Sequence, residues 1–416
     1  MTFQAPRGTL DILPEDQKYW RYVEHHASEV AARFGFQRID TPVFEDAELF
    51  ERGVGNTTDI VEKETYTFVD RGGDRVTLRP EGTAPVCRAY IQHGLQNLPQ
   101  PVRLFYIWTG FRYERPQAGR YRQFNQFGIE IIGDPNANVD AEVIEVAWRF
   151  LEEVGLTDLT LTVNSIGDDQ CRPAYMTELE SFYEGHKEQI CDDCKRRLVR
   201  NPLRLLDCKN DQCQPFIADA PQSAQHLCDE CSAHWDALKA YLEGIGLEFT
   251  IEHRLVRGLD YYARTVFEIT PPVEGRTATI VGGGRYDGLI EELGGKPTPG
   301  VGYGMGMERV IENLKRQEVP VPDPERTKVL VAHMGDPAKA EAALLASQLR
   351  RAGVASLMGP SRGLRSQLRY ANSSNCTHAV IIGDDEIAKG VVTVRDLRQS
   401  EQNEVPMNEL VASFSG

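Results

Sequence analysis

The chain has 416 residues, too many for one ordinary domain and enough for two or three, each with a core of its own. Apolar residues make up 41% and charged residues 26%, the balance of a water-soluble globular protein, and no apolar run approaches the roughly 18 residues of a membrane span. The net charge of −16 argues against a protein that coats nucleic acid non-specifically.

The N-terminal MTFQAPRGTLDILPEDQ lacks a basic stretch leading into an apolar one, so a cytoplasmic protein is expected rather than a secreted one. The first element is a helix. Pro14 suits its first position, and Trp20, Val23, Ala27, Val30, Ala31 and Phe34 recur at three- and four-residue steps until Gly35 stops it. Short strands are expected near Phe36–Ile39 and Val76–Leu78, longer ones at Val102–Phe111 and Phe124–Ile132, then a helix over Glu142–Val154 and a strand over Leu159–Val163. Six of the nine cysteines fall between Cys191 and Cys231. They mark an insertion, about residues 171–245, with helices such as Ser232–Leu242. Strands resume at Val266–Thr270 and Ala278–Val281, and a glycine-spaced strand, Gly300–Gly306, runs into a helix near Glu308. The proline-spaced KRQEVPVPDPERTK (315–328) reads as a stiff linker. Beyond it a β-α-β-α-β pattern predicts a small α/β domain with a mostly parallel sheet, slightly basic where the rest of the chain taken together is acidic.

Four features carry chemistry. Gly300, Gly302, Gly304 and Gly306 are two apart, so a strand puts all of them on one face and leaves it bare, where a flat group such as a purine could lie or a helix pack closely. Neither this run nor GGGRYDG (282–288) fits a dinucleotide or P-loop fingerprint. In RYERPQAGRYRQF (112–124), Arg112, Arg115, Arg120 and Arg122 crowd a hairpin loop with one acid, Glu114. Their planar guanidinium forks match phosphate oxygens, although charged residues also protect exposed hairpins. Glu130 stands between Ile129 and Ile131 in an apolar strand and must face solvent, a partner or a ligand. The C-x2-C pairs Cys191/Cys194 and Cys228/Cys231, with Cys208 and Cys213 between them, offer a tetrahedral zinc site in two ways: Cys191, Cys194, Cys228 and Cys231, or the first pair with Cys208 and Cys213. Reduced free thiols are the alternative.

Over nearly the whole chain these motifs resemble the class II aminoacyl-tRNA synthetases, and within them the histidyl-tRNA synthetase family. FGFQRIDTP (34–42), FRYERPQAGRYRQFNQFGIE (111–130) and GVGYGMGMERV (300–310) are similar to the three class motifs. LVRGLDYY (255–262), GGRYDGL (283–289) and TLRPEGT (77–83) are similar to segments of the histidine enzymes, and 327–416 to their anticodon-binding domain. The resemblance implies an α+β fold: a catalytic domain, residues 1–325, on an antiparallel sheet flanked by helices, an inserted helical domain, and an α/β anticodon-binding domain, residues 326–416. It implies a ligase that activates histidine with ATP and Mg²⁺ and charges tRNA(His), working as a homodimer. By the same resemblance, Arg112 and Arg257 would serve the reacting α-phosphate. Arg112, Glu114, Arg120, Phe124 and Arg309 would hold ATP, while Glu81, Thr83, Gln126, Glu130, Tyr262 and Tyr286 would hold histidine. Arg115 and Gln117 would meet the tRNA acceptor end. Non-catalytic relatives that regulate ATP phosphoribosyltransferase are the rival reading. They typically lack the C-terminal module and parts of the catalytic motifs, both of which this chain keeps.

Overall fold

The first apolar stripe closes into α1 (Gln17–Arg33), which buries Val23, Ala27, Val30 and Ala31. It starts after Asp16, three residues beyond Pro14. The computed structural model describes residues 2–55, 58, 60–116, 119–272, 279–322 and 329–414, and the chain divides into two units, Met1–Val321 and Pro322–Gly416.

In the first unit β1 (Gln37–Arg38) follows α1. Then β2 (Phe44–Asp46), β3 (Tyr66–Val69) and β4 (Arg75–Leu78) make a small antiparallel sheet in the order β2-β4-β3, with α2 (Ala47–Gly53) after β2. Helix α3 (Thr83–Gln92) leads to a long hairpin, β5 (Val102–Phe111) and β6 (Gln123–Ile132), and then to α4 (Ala137–Glu153) and β7 (Thr160–Ser165). The cysteine-rich insertion contains α5 (Arg172–Glu184), α6 (Asp192–Arg200), α7 (Gln214–Ala218) and α8 (Asp229–Gly244). The unit ends with β8 (Thr250–Ile251), β9 (Ala263–Thr270), β10 (Val281–Arg285), α9 (Leu289–Glu292), β11 (Gly300–Gly306) and α10 (Met307–Arg316). The linker expected from Lys315 therefore begins after Arg316, and its residues 323–328 lie outside the described residues. The strand expected over Ala278–Val281 instead starts at Val281 and runs through the glycines to Arg285; Ala278 is not among the described residues.

Eight strands form one sheet in the order β1-β5-β6-β11-β10-β9-β7-β8. Every pairing from β5 to β7 is antiparallel, and only the edge pairs β1–β5 and β7–β8 are parallel. Side chains alternate across a strand, so each face has its own composition. One face carries Phe127, Ile129 and Ile131 of β6, Val301, Tyr303 and Met305 of β11, and Phe267 and Ile269 of β9. All are buried beneath apolar residues of α1, α4, α8 and α10. The opposite face carries Glu130, Gly128 and Gln126, which register against Gly302, Gly304 and Gly306, and Gly282 and Gly284, which register against Gly304 and Gly302. The glycine-rich face is the one that holds the site.

The second unit comprises β12 (Val329–His333), α11 (Asp336–Arg351), β13 (Ser356–Met358), α12 (Leu364–Ser373), β14 (His378–Ile382), α13 (Asp384–Lys389), β15 (Val391–Asp396) and β16 (Gln402–Pro406). Strand β12 is buried throughout, which accounts for its unbroken apolar run VLVA. The sheet order is β13-β12-β14-β15-β16. The first three strands are parallel, and β15 and β16 add an antiparallel hairpin that corrects the expectation of a mostly parallel sheet. The polar, weakly patterned QNEVP of β16 gives little strand signal because that edge strand is largely exposed.

Candidate active site

A cleft with about 940 Å³ of unfilled volume, partly open to solvent, lies on the glycine-rich face of the eight-stranded sheet. Four arginines from three regions converge on it: Arg112 and Arg120 of the β5–β6 loop, Arg257 before β9, and Arg309 of α10. In a chain of net −16 this is a local concentration of positive charge suited to phosphate.

Each arginine is held in place. Arg112 donates to the Pro80 carbonyl at 2.8 Å and lies over the Phe124 ring, 5.4 Å from its centroid. Arg120 Nη1 is 3.4 Å from Glu114 Oε2. Arg309 donates from Nε to the Gly119 carbonyl at 3.1 Å and from Nη1 to the Thr279 carbonyl. Arg257 ion-pairs with Glu268, an acid with no distinguishing signal in the sequence, and lies directly on Gly282. A Cβ at Gly282 would overlap the Arg257 guanidinium, so only glycine leaves it that place. Phe124 likewise occupies the space over Gly110, where a Cβ would come within 2.6 Å of the ring.

The glycine strip of β11 is only half bare. Gly300 lies under the Tyr286 ring and Gly302 under the Glu130 carboxyl, and a Cβ added at either would overlap the group above it. Gly304 and Gly306 open onto the cleft, with Gln126 beside the first and Arg309 beside the second.

Glu130 is fully buried, which rules out the solvent-facing option. Its Oε1 accepts hydrogen bonds from Thr83 Oγ1 at 2.8 Å and Tyr106 OH at 2.9 Å, and its Oε2 accepts from Tyr286 OH at 2.5 Å. Burial pushes its carboxyl up to about 8, against the pull of the three hydroxyls. Glu130 does not line the cleft. Thr83 and Tyr106 do, and they screen it from the open volume. Glu81 accepts the backbone N–H groups of Thr83 and Ala84 at 2.8 and 2.9 Å, which caps the start of α3. Burial raises its pKa despite those bonds. Tyr262 and Tyr261 line the wall, their rings 4.7 Å apart.

The structure thus brings Glu81, Thr83, Arg112, Glu114, Arg120, Phe124, Gln126, Arg257, Tyr262 and Arg309 to one cleft, with Glu130 and Tyr286 immediately behind it. Arg115 is exposed and does not line it, and Gln117 lies outside the described residues. Tyr106, Tyr261 and Glu308 also line it and were missed. Tyr106 reads as one more aromatic in a buried strand. Glu308 reads as the polar start of a helix, yet it accepts from Asn125 N and Nδ2 at 2.8 and 2.9 Å, and burial lifts it to about 7.

The cysteines separate into two groups. Cys191, Cys194, Cys208 and Cys213 bring their sulfurs within 4.8 Å of one another, whereas Cys228 and Cys231 converge with Asp168 and Cys171. Pairing Cys191 and Cys194 with Cys228 and Cys231 is therefore corrected. The matching C-x2-C spacing was misleading, because α5, α6 and α7 carry the first pair away from the second.

The family described as "Histidyl-tRNA synthetase" matches residues 8–168 and 199–310, and the one described as "Anticodon binding domain" matches 328–415. A histidine–tRNA ligase of Dehalococcoides mccartyi is 53% identical over 413 residues, covering 99% of each chain. The chain belongs to the histidyl-tRNA synthetase family. Apo histidyl-tRNA synthetase of S. aureus is 36% identical, with a TM-score of 0.84 over 100% of both chains. A Bacillus halodurans structure described as an ATP phosphoribosyltransferase regulatory subunit/histidyl-tRNA synthetase shares the fold at 23% identity and a TM-score of 0.63, over 92% of this chain and 99% of that one. Full-length identity with the ligases, together with the anticodon-binding module, disfavours the regulatory reading. A histidyl-tRNA synthetase is an α+β aminoacyl-tRNA ligase, and the cleft described above is lined largely by segments that resemble the motifs of that family. Among the described residues no helix is long and apolar enough to cross a membrane.

Proposed function

We propose that this cleft forms histidyl-adenylate from histidine and ATP and then passes histidine to the 3′ end of tRNA(His). The observation that carries the reading is the adjacency of a cleft holding four arginines and, immediately behind its wall, a carboxyl–hydroxyl cluster around Glu130. A histidine carboxylate oxygen attacks the α-phosphorus, the bond to the β-bridging oxygen breaks, and pyrophosphate leaves. Charge gathers on phosphoryl oxygens, and Arg112 and Arg257, already held by their own partners, stabilise it without reorganising. Arg120 and Arg309 take the outer phosphates. Phe124 stacks on the purine beside Gly304 and Gly306. Glu114 Oε2, which makes no hydrogen bond among the described residues beyond the 3.4 Å ion pair with Arg120, accepts the purine's amino group. Mg²⁺, when bound, would supply electrostatic stabilisation of the leaving pyrophosphate, and Glu308 is the cleft carboxylate that would hold it.

Imidazole presents one donor and one acceptor. Tyr262 on the cleft wall and the Glu130 cluster, with Thr83 and Tyr286, recognise that pair, while Glu81 and Gln126 hold the α-amino group. Arg115, in the loop after β5, and Gln117 meet the tRNA end. The four thiols Cys191, Cys194, Cys208 and Cys213 suit a structural zinc. Cys191 and Cys208 sulfurs are 3.8 Å apart, and the backbone N–H groups of Cys191 and Asn210 point at the Cys213 and Cys208 sulfurs at 3.3 and 3.4 Å. A homodimer belongs to the same reading, because FGFQRIDTP resembles the class II dimer segment and Val43, Phe44, Phe68 and Val69 on or beside the small sheet are exposed. So does a cytoplasmic location, where tRNA is charged.

Pyrophosphate exchange into ATP tests the reading. Histidine alone should support exchange. Exchange driven by another amino acid, or no exchange with histidine, would overturn it.

A further inference from the structure

The second cysteine group is left over. Asp168, Cys171, Cys228 and Cys231 place their ligand atoms within 4.8 Å of one another, and Cys171 and Cys231 are buried. The two halves share one spacing, Asp-x2-Cys and Cys-x2-Cys, and each lies at the start of a helix, Cys171 before α5 and Cys228 before α8. The surroundings position the donors. Gly167 has φ +68, and a Cβ there would come within 2.7 Å of the Cys171 sulfur. Only glycine meets both demands. Arg264 holds Asp168 Oδ2 at 3.2 Å, while Asp168 Oδ1 faces the Cys171 sulfur at 3.5 Å. Zinc–sulfur bonds of about 2.3 Å put tetrahedral sulfurs roughly 3.8 Å apart, so a closure of about 1 Å completes the geometry.

We propose that Asp168, Cys171, Cys228 and Cys231 form a second zinc site, distinct from the four-thiol group, that staples the two ends of the insertion to the edge of the catalytic sheet. Three thiolates and one carboxylate are a zinc donor set rather than one for a hard cation. The site stands where the chain leaves β7 for the insertion and where it re-enters through α8. Arg172, next to Cys171, donates to the Tyr262 carbonyl at 2.7 Å, so the staple braces the segment that carries Tyr262 into the cleft. The inference is independent of the catalytic reading.

Elemental analysis of the full-length protein, purified without chelator, tests it. Two zinc ions per chain are expected. Cys228→Ser/Cys231→Ser should keep one, and Cys191→Ser/Cys194→Ser should keep the other. One zinc per chain that persists in Cys228→Ser/Cys231→Ser, or iron in place of zinc, would overturn the proposal. One zinc lost only in Cys228→Ser/Cys231→Ser would uphold this site and sink the four-thiol one. Should the serine variants fail to fold, Asp168→Asn decides by cobalt titration of the full chain, read from thiolate-to-cobalt charge-transfer absorbance. About a tenfold weaker second equivalent, with the first unchanged, supports the site; two equivalents as tight as in the unsubstituted chain refute it.

Discussion

Glu130 shows how much one side chain can depend on its surroundings. A carboxyl in the middle of an apolar strand was visible in the sequence, but its three hydroxyl partners come from α3, β5 and the turn after β10, and nothing local links them. Glu130→Ala leaves those hydroxyls with no acceptor and removes the ring-recognition cluster. Histidine-dependent exchange should fall at least about 10²-fold in kcat/KM, since unpaired buried polar groups are strongly penalised. The raised pKa makes a second test possible. A carboxyl held up to about 8 contributes stability that is complete below its unfolded value and lost as pH rises through about 8. Glu130→Gln should therefore gain stability relative to the unsubstituted chain as pH is raised from about 6 to about 9, read from paired urea unfolding curves. A gap that stays constant with pH would contradict the burial argument. Arg309→Ala should cut kcat/KM for ATP by about 10²–10³-fold, with little change in the KM for histidine, as when one preorganised donor is lost.

At the scale of elements, β10 faces two ways. Tyr286 just beyond it turns to the site, while Arg285 turns to the core and is fully buried. Arg285 Nε donates to Asp140 of α4 at 3.0 Å, and the same carboxylate takes His234 of α8 at 2.7 Å and Thr265 of β9 at 2.6 Å. Burial opposes the charge on Asp140, but Arg285 and His234 outweigh it and lower its pKa, so its contribution is present at neutral pH and lost only in acid. Asp140→Ala removes the main partner of the buried Arg285, whose remaining ion pair is with Asp287, Oδ1 lying 3.1 Å from Nη1, and should cost about 3–5 kcal/mol, seen as a lower urea midpoint. The periodicity of α1 gave its apolar face, and the glycine spacing of β11 gave a shared face. Neither could show that two of those four glycines are covered by Tyr286 and Glu130, because that follows from the register of β6 against β11.

For the molecule as a whole, the residues proposed for activation all belong to the first unit, whose core is its own. A chain ending at Val321 should fold and keep histidine-dependent exchange within about tenfold, while charging tRNA(His) poorly. Parallel exchange and aminoacylation assays check this, and equal loss of both activities would argue against it. Contiguous information was enough for the family, the α+β class, the three longest helices and most strands of the first unit, and the arginine-rich loop, because motifs and periodicities are local in the chain. Only the folded chain decided which cysteines meet, that Tyr106 and Glu308 join the cleft, and that Glu130 is screened from it. Those are distances between residues tens to hundreds of positions apart, set by sheet order, register and helix packing, and no spacing along the sequence encodes them by itself.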